Sequence, residues 1–221
     1  MAKPIIFLGP SLSHEKARAI LPDADYRGPA KKGDLLKLAT DPDAKLVGLV
    51  DGVFLQDYPP TPIEVYHFVM KQGVVLAGAA SLGALRAVEL EKFGMIGIGK
   101  VFELYRDGRL NADDEVAVTF SPDGDYRLQS EAMVDIRFNL FLAMKKEIIV
   151  RETKRIIARV AKDIYFPQRN YPDIIEETRR RHGSLDGDLD AFQQYVSSNR
   201  RSLKEMDAIR LVRYFKQRAA G

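Results

Sequence analysis

The sequence predicts an α/β fold, a mainly parallel sheet with crossover helices followed by a helical C-terminal region. Three observations carry that prediction. Short apolar runs at residues 5–8 and 46–50 run into Gly9 and Asp51-Gly52, and a third at 74–78 breaks at Ala79-Ala80-Ser81. Between the runs, apolar residues fall at helical spacing. From Glu131 onward Phe138, Phe141, Leu142, Ile148, Ile149, Ile156, Ile157 and Val160 recur at three- to four-residue intervals. An α/β domain at 1–130 and a helical region at 131–221 are therefore expected.

The elements follow in chain order. Residues 5–8 read as a buried strand closed by Gly9-Pro10-Ser11. Ser13 with Lys16, Ala17, Ala19 and Ile20 begins a short helix that stops near Pro22, and Asp34 opens another. Residues 46–50 form a second strand ending on Asp51-Gly52. Thr61 suits a helix N-cap, with Pro62 first inside and Glu64 third, and the helix is expected to run to about Gln72. Residues 74–78 form the third strand, breaking at Ala79-Ala80-Ser81 into a helix over 82–93 that Gly94 stops. Gly97 and Gly99 read as a turn before a helix starting at Val101. Residues 115–120 and 126–128 read as a hairpin with Asp123-Gly124 in its turn. Pro167 and Pro172 interrupt the C-terminal helices, and two more are expected near 189–196 and 202–218.

Composition narrows the chemistry. The chain has 221 residues and no cysteine, which removes disulfides, a thiolate nucleophile, a persulfide and cysteine-bound zinc. Its three histidines, His14, His67 and His182, are far apart, so no metal site is expected. The start of the chain lacks a secretory pattern, and no apolar run approaches the ~20 residues of a membrane span, so a cytoplasmic location is expected and no membrane. Residues 151–221 carry 16 Lys/Arg against 10 Asp/Glu, so a net +3 overall divides into a basic tail and an acidic body. That asymmetry suits either a docking face or a solvated helical surface. Few aromatics lie between the arginines, so nucleic acid is not the expected partner.

In a parallel sheet, ligands gather beyond the carboxyl ends of the strands. Gly9, Ser11, Asp51, Gly52 and Ser81 all fall on that rim. Ser81 sits in a strand–turn–helix setting like a nucleophile elbow, though Ala79 replaces the first glycine of that pattern. It reads as a helix N-cap, a nucleophile, or a donor to an anion. Arg86 either pairs with Glu89 one turn away or reaches back to the rim to hold a carboxylate or phosphate. Asp51 is a loop acceptor or a site residue. His67 is a half-buried structural histidine or, if its helix returns to the rim, a base for Ser81. Asp113-Asp114-Glu115 starts a capped segment or meets magnesium or a cationic partner.

The run Gly78-Ala79-Ala80-Ser81-Leu82-Gly83-Ala84-Leu85-Arg86-Ala87, with Glu89, Phe93-Gly94-Met95 and Gly97 to Gly99, resembles the signature of the TfuA-like family. So do Phe7 to Ser11, Gly33-Asp34, Leu49 to Gly52, His67 and Asp113 to Ala117, in the family's order, over roughly residues 4–120. Leu82 stands where the family usually has methionine, and His67 is followed by Phe68-Val69 in place of a Lys-Glu pair.

The resemblance implies an accessory protein for YcaO-type enzymes, which convert a peptide amide to a thioamide with ATP and magnesium. This chain itself is expected to bind no cofactor. The implied role is to supply sulfide by hydrolysing the C-terminal thiocarboxylate of a ubiquitin-like sulfur-carrier protein, and to help the YcaO partner engage its peptide or protein substrate. Ser81, Arg86, His67 and Asp51 are then the expected catalytic residues, with Gly9, Ser11, Gly83 and Glu89 at the substrate. Two other readings remain: a non-catalytic adaptor of a YcaO partner, and a stand-alone serine hydrolase. Homo-oligomers are compatible with each.

Overall fold

The computed structural model of the chain describes residues 2–54, 57–121 and 123–220. Two compact units are formed, neither continuous in sequence. The first comprises Met1–Asp113, Ser121–Arg127 and Leu203–Gly221, and the second Asp114–Phe120 and Leu128–Ser202.

The first unit is built on strands β1 (Ile5–Phe7), β2 (Asp25–Arg27), β3 (Leu46–Leu49), β4 (Val75–Ala79) and β5 (Ile96–Ile98). They form one parallel sheet in the order β2-β1-β3-β4-β5. The α/β fold class read from the sequence is what the structure shows. Helices α1 (His14–Ile20), α2 (Asp34–Thr40), α3 (Pro62–Val69), α4 (Leu82–Leu90) and α5 (Lys100–Arg106) follow the successive strands or loops. Helices α6 (Met133–Lys145), α7 (Arg151–Asp163), α8 (Tyr171–Arg181) and α9 (Asp186–Asn199) make the second unit, and α10 (Leu203–Ala220) returns to the first.

Alternation along a strand sends neighbouring side chains to opposite faces. Ile6, Ala77 and Ala79 face α1 and α10, packing with Ala17, Leu21, Leu211, Val212 and Phe215. Leu211, Val212 and Phe215 are fully buried. Each such burial contributes about 1.5–3 kcal/mol, so α10 is a structural layer of the sheet. It lies so close to β3 that a Cβ on Gly48 would stand 2.8 Å from Leu211 and 2.9 Å from Phe215. The Tyr26 hydroxyl closes α1 by reaching the Ala17 and Leu21 carbonyls at 2.9 and 2.8 Å, and burial pushes its pKa up to about 12.

Helices α2, α3 and α4 pack side by side, and α4 lies against β4. Here backbone meets backbone. A Cβ on Gly83 would fall 1.8 Å from the Leu49 carbonyl oxygen, and one on Gly78 would fall 2.1 Å from the Gly83 oxygen. The Gly83 N–H donates to the Val50 carbonyl at 3.1 Å. Glu64 departs from the expected capping box. Thr61 does cap α3, accepting from the Glu64 N–H at 3.2 Å. The Glu64 carboxylate instead accepts from Gly33 N–H at 2.9 Å and Leu35 N–H at 3.0 Å, so it caps α2.

Several expectations are corrected. The glycines at 97 and 99 do not mark a turn alone: Ile96–Ile98 is the edge strand β5. Gly97 is small because the Phe102 ring lies 2.1 Å from where a Cβ would be. Edge strand β2 has charged residues flanking one buried tyrosine over three residues, too short for a periodic signal. Helix α3 ends at Val69, before Gln72. Helix α8 begins at Tyr171 and takes Pro172 into its first turn rather than being interrupted by it, with Asn170 accepting from the Asp173 N–H at 2.9 Å. The expected hairpin is present but short: among the described residues Phe120 and Leu128 form its antiparallel bridge, and Glu115 is in a 3-10 turn rather than a strand. Pro122, within that segment, lies outside the described residues.

In the second unit α6 packs on α7, α7 on α8, α8 on α9 and α9 on α6. Met133, Ile136, Leu140, Ile157, Ile174, Leu189 and Phe192 fill the centre. Among the described residues no helix is long and apolar enough to cross a membrane.

Gly83→Ala should destabilise the first unit by about 3 kcal/mol or more, because the clash is with backbone that cannot rotate away. Thermal melting checks this; a melting temperature equal to that of the parent would show that α4 can lift from the sheet without loss.

Candidate functional site

The loops leaving β1, β3 and β4 emerge along one edge, because those strands are neighbours and parallel. The strand order turns back between β1 and β3, which is where open sheets of this kind bind ligands. Asp51 stands at that point and is 1% exposed. Its Oδ2 accepts from Gly9 N–H at 2.9 Å and from Ser11 N–H at 3.0 Å, and its Oδ1 accepts from the Ser11 hydroxyl at 2.6 Å. Converging amide donors of this kind form an anion cradle. Here the protein's own carboxylate fills it, so Gly9 and Ser11 spend their donors on Asp51, and both Asp51 oxygens are engaged.

Ser81 lies one strand over, at the end of β4. Ala80 before it has φ 65°, and the Ser81 N–H donates to the Ala79 carbonyl at 2.7 Å. This is a three-residue turn of the rarer hand, and a non-glycine residue held there costs about 1–3 kcal/mol. Ser81 takes the N-cap position of α4 but makes no capping bond with its side chain. The residue is 9% exposed, and among the described residues no partner meets its hydroxyl. The Leu82 N–H that follows likewise meets no acceptor among the described residues. A hydroxyl and the next amide, both unspent at a strained strand–helix turn, are the parts a nucleophile elbow needs.

The other expected residues are dispersed. Arg86, on α4, donates from Nε to the Pro60 carbonyl at 2.9 Å and from Nη1 to both Glu89 oxygens at 3.0 and 2.8 Å. Its side chain is 12% exposed and that of Glu89 42%, so the helical pair exists and also pins the loop before α3. Gly83 is a packing glycine whose amide is used by Val50. His67 is exposed near the end of α3, its ring 5.9 Å from Tyr66, and no described hydrogen bond joins it to Ser81.

Two rim residues were not legible in the sequence. The His14 Nε2 lies 3.0 Å from the Leu8 carbonyl, and since a carbonyl only accepts, that nitrogen carries the proton. The Tyr126 ring is 5.9 Å from His14 and covers Gly9 and Gly28. A Cβ on Gly28 would fall 2.2 Å from the Tyr126 hydroxyl. The glycines were the available signal, but nothing local tied them to a tyrosine a hundred residues away.

Two residues of the acidic triplet, Asp114 and Glu115, meet cations of the second unit to which they belong. Glu115 takes Arg137 through two bonds of 2.9 Å and Lys162 at 3.0 Å. Asp114 takes Lys162 and the 2%-exposed Arg169. Burial would raise both carboxyls, but Arg169 and Lys162 at Asp114, and Arg137 and Lys162 at Glu115, outweigh it and hold them below the usual range. Among the described residues no group of His, Asp or Glu is placed to hold a metal ion. The tail arginines are also paired: Arg179 with Asp186 and Asp190, Arg180 and Arg181 with Glu177.

A family model described as TfuA-like protein matches residues 51–170. That span holds Asp51, Ser81, Arg86 and the acidic triplet, and it runs through α6 and α7. No curated protein matches the chain.

Ser81→Ala should leave the melting temperature within error of the parent, since no capping bond is lost; a loss of about 1 kcal/mol would restore the N-cap role. For Glu115 the folded pKa lies below the unfolded one, so its stabilisation is present above about pH 4 and fades as the pH falls through the folded value. The stability gap between the parent and Glu115→Gln should therefore close between neutral pH and about pH 3, read by chemical denaturation; a gap independent of pH would remove the charge from the account.

Proposed function

The chain belongs to the TfuA-like family, and from that premise we propose that it is a sulfur-delivery accessory of YcaO-dependent peptide thioamidation. On this reading it hydrolyses the C-terminal thiocarboxylate of a ubiquitin-like carrier and so releases sulfide beside the YcaO partner. The observation that carries the reading is Ser81: a hydroxyl at the strand-end rim, behind a strained turn, that the fold itself does not use.

The chemistry is acyl transfer to water. Thiocarboxylate and water become carboxylate and hydrogen sulfide, with the C–S bond broken and a C–O bond formed. The Ser81 oxygen adds to the carbonyl carbon, the C–S bond breaks and the hydroxyl proton leaves with the sulfur as hydrosulfide; water then cleaves the acyl ester, giving the carboxylate and a proton and restoring the Ser81 hydroxyl. The Leu82 N–H is the donor for the developing oxyanion. Asp51 holds the neighbouring β1 loop in shape rather than moving a proton, since both its oxygens already accept. Arg86 fixes the loop that borders α4. A chain without cysteine has no thiol on which to carry sulfur, which is why release from an external donor, not relay, is proposed.

The second reading is an adaptor that tightens the YcaO partner's hold on its peptide without chemistry of its own. The enclosed Asp51 cradle favours it, because that part of the rim is already filled.

Incubation of the purified chain with a thiocarboxylated carrier separates the two. Hydrolysis predicts conversion to the carboxylate by mass and free sulfide in solution, with a loss of about 100-fold or more in Ser81→Ala. Equal rates in the variant would end the catalytic role of Ser81. No conversion, with tighter peptide binding by the partner, would leave the adaptor.

A further inference from the structure

The second unit holds a cavity of about 420 Å³, within the range of small-molecule and side-chain sites. Pro172, Ile175 and Val196 give it apolar walls, and Glu131 and Arg200 stand at it together. The Glu131 side chain is 16% exposed, and its carboxylate meets the Arg200 Nη1 at 2.5 Å. Arg200 is different in kind. It follows the end of α9, and its side chain is 54% exposed. A long exposed side chain held in one geometry contributes little to stability.

The ground around the carboxylate is firm. Asn139, fully buried, reaches the Asp135 and Arg201 carbonyls at 2.8 and 2.7 Å and the Tyr171 hydroxyl at 3.0 Å. The Ser202 hydroxyl donates to Asp135 at 2.7 Å. Tyr171 is 7% exposed and lines the cavity. Glu131 is thus a carboxylate at an apolar wall, and among the described residues its one counterion is the half-exposed Arg200. Burial raises its carboxyl, Arg200 opposes this, and Asp135 reinforces it.

We propose that this cavity binds an arginine side chain of a peptide or protein partner, whose guanidinium replaces Arg200 on Glu131. The chain's own arginine shows which head group the carboxylate accepts. The aliphatic stem of the incoming residue lies on Pro172, Ile175 and Val196, and the planar fork gives the paired bonds that a carboxylate favours. The inference does not depend on the chemistry at Ser81.

The test uses the full chain and two blocked dipeptides, acetyl-Leu-Arg-amide and acetyl-Leu-citrulline-amide, with methyl NMR of Ile175 and Val196 as the readout. The arginine peptide should shift both methyls saturably, and citrulline should bind about tenfold more weakly, the scale of one charge-assisted hydrogen bond. Glu131→Gln should lose the same factor. Arg200→Ala should bind the arginine peptide more tightly, because the internal competitor is gone. Three results would overturn the proposal: no shift at millimolar peptide, equal binding of citrulline, or weaker binding in Arg200→Ala. The last would make Arg200 the anchor of an anionic ligand instead.

Discussion

A single backbone contact sets the geometry of the rim. The Leu49 carbonyl and the first turn of α4 touch without any side chain between them, and Gly78 and Gly83 are what make that possible. Because α4 sits so low on the sheet, the chain must turn sharply out of β4. The strain falls on Ala80, and Ser81 emerges with its hydroxyl clear of the first helical turn. Asp51 is the matching constraint on the other side, pulling the β1 loop onto the end of β3. One device spends donors inside the fold, and the other leaves a donor and a hydroxyl unspent.

The sheet was legible wherever a strand is buried on both faces. Residues in β1, β3 and β4 are apolar throughout, and such runs need no tertiary information to be recognised. The strands at the two edges were not. In β2 two charged residues flank a tyrosine, and in β5 a glycine sits at the centre where Phe102 packs, so each imitates a loop. Helix α8 was missed for a similar reason: proline is a breaker within a helix and a starter at its first turn, and only the Asn170 cap distinguishes the two.

The candidate site was legible by position and less so by role. Gly9, Ser11, Asp51 and Ser81 do line one edge, as a parallel sheet requires. Their bonds are another matter. Glycine and serine after β1 look like ligand donors, yet they serve Asp51, a partner forty residues away. In the sequence Arg86 fits a helical ion pair or a rim residue equally well; in the fold it pairs with Glu89, and the Pro60 carbonyl makes it a brace for a loop as well. His67 and His14 could not be ranked from sequence, because nothing local shows which end of a helix faces the rim. The acidic triplet invites a metal reading because the cations of Asp114 and Glu115, Arg137, Lys162 and Arg169, lie 22 to 55 residues further on.

Helix α10 has a consequence for how the chain is made. Residues 203–220 cover Ile6, Gly48 and Ala77, and Asp207 accepts from the Val101 N–H in the first turn of α5. During synthesis the part of the sheet that α10 covers beside α1 therefore stays open until residues 203–220 have left the ribosome. The strands are complete by residue 98, but the next hundred residues are made first. The helical unit has short-range contacts and can form during that wait, whereas the sheet must wait for its closing layer. Premature termination would release a chain whose second unit is whole and whose first presents an open apolar face to whatever it meets.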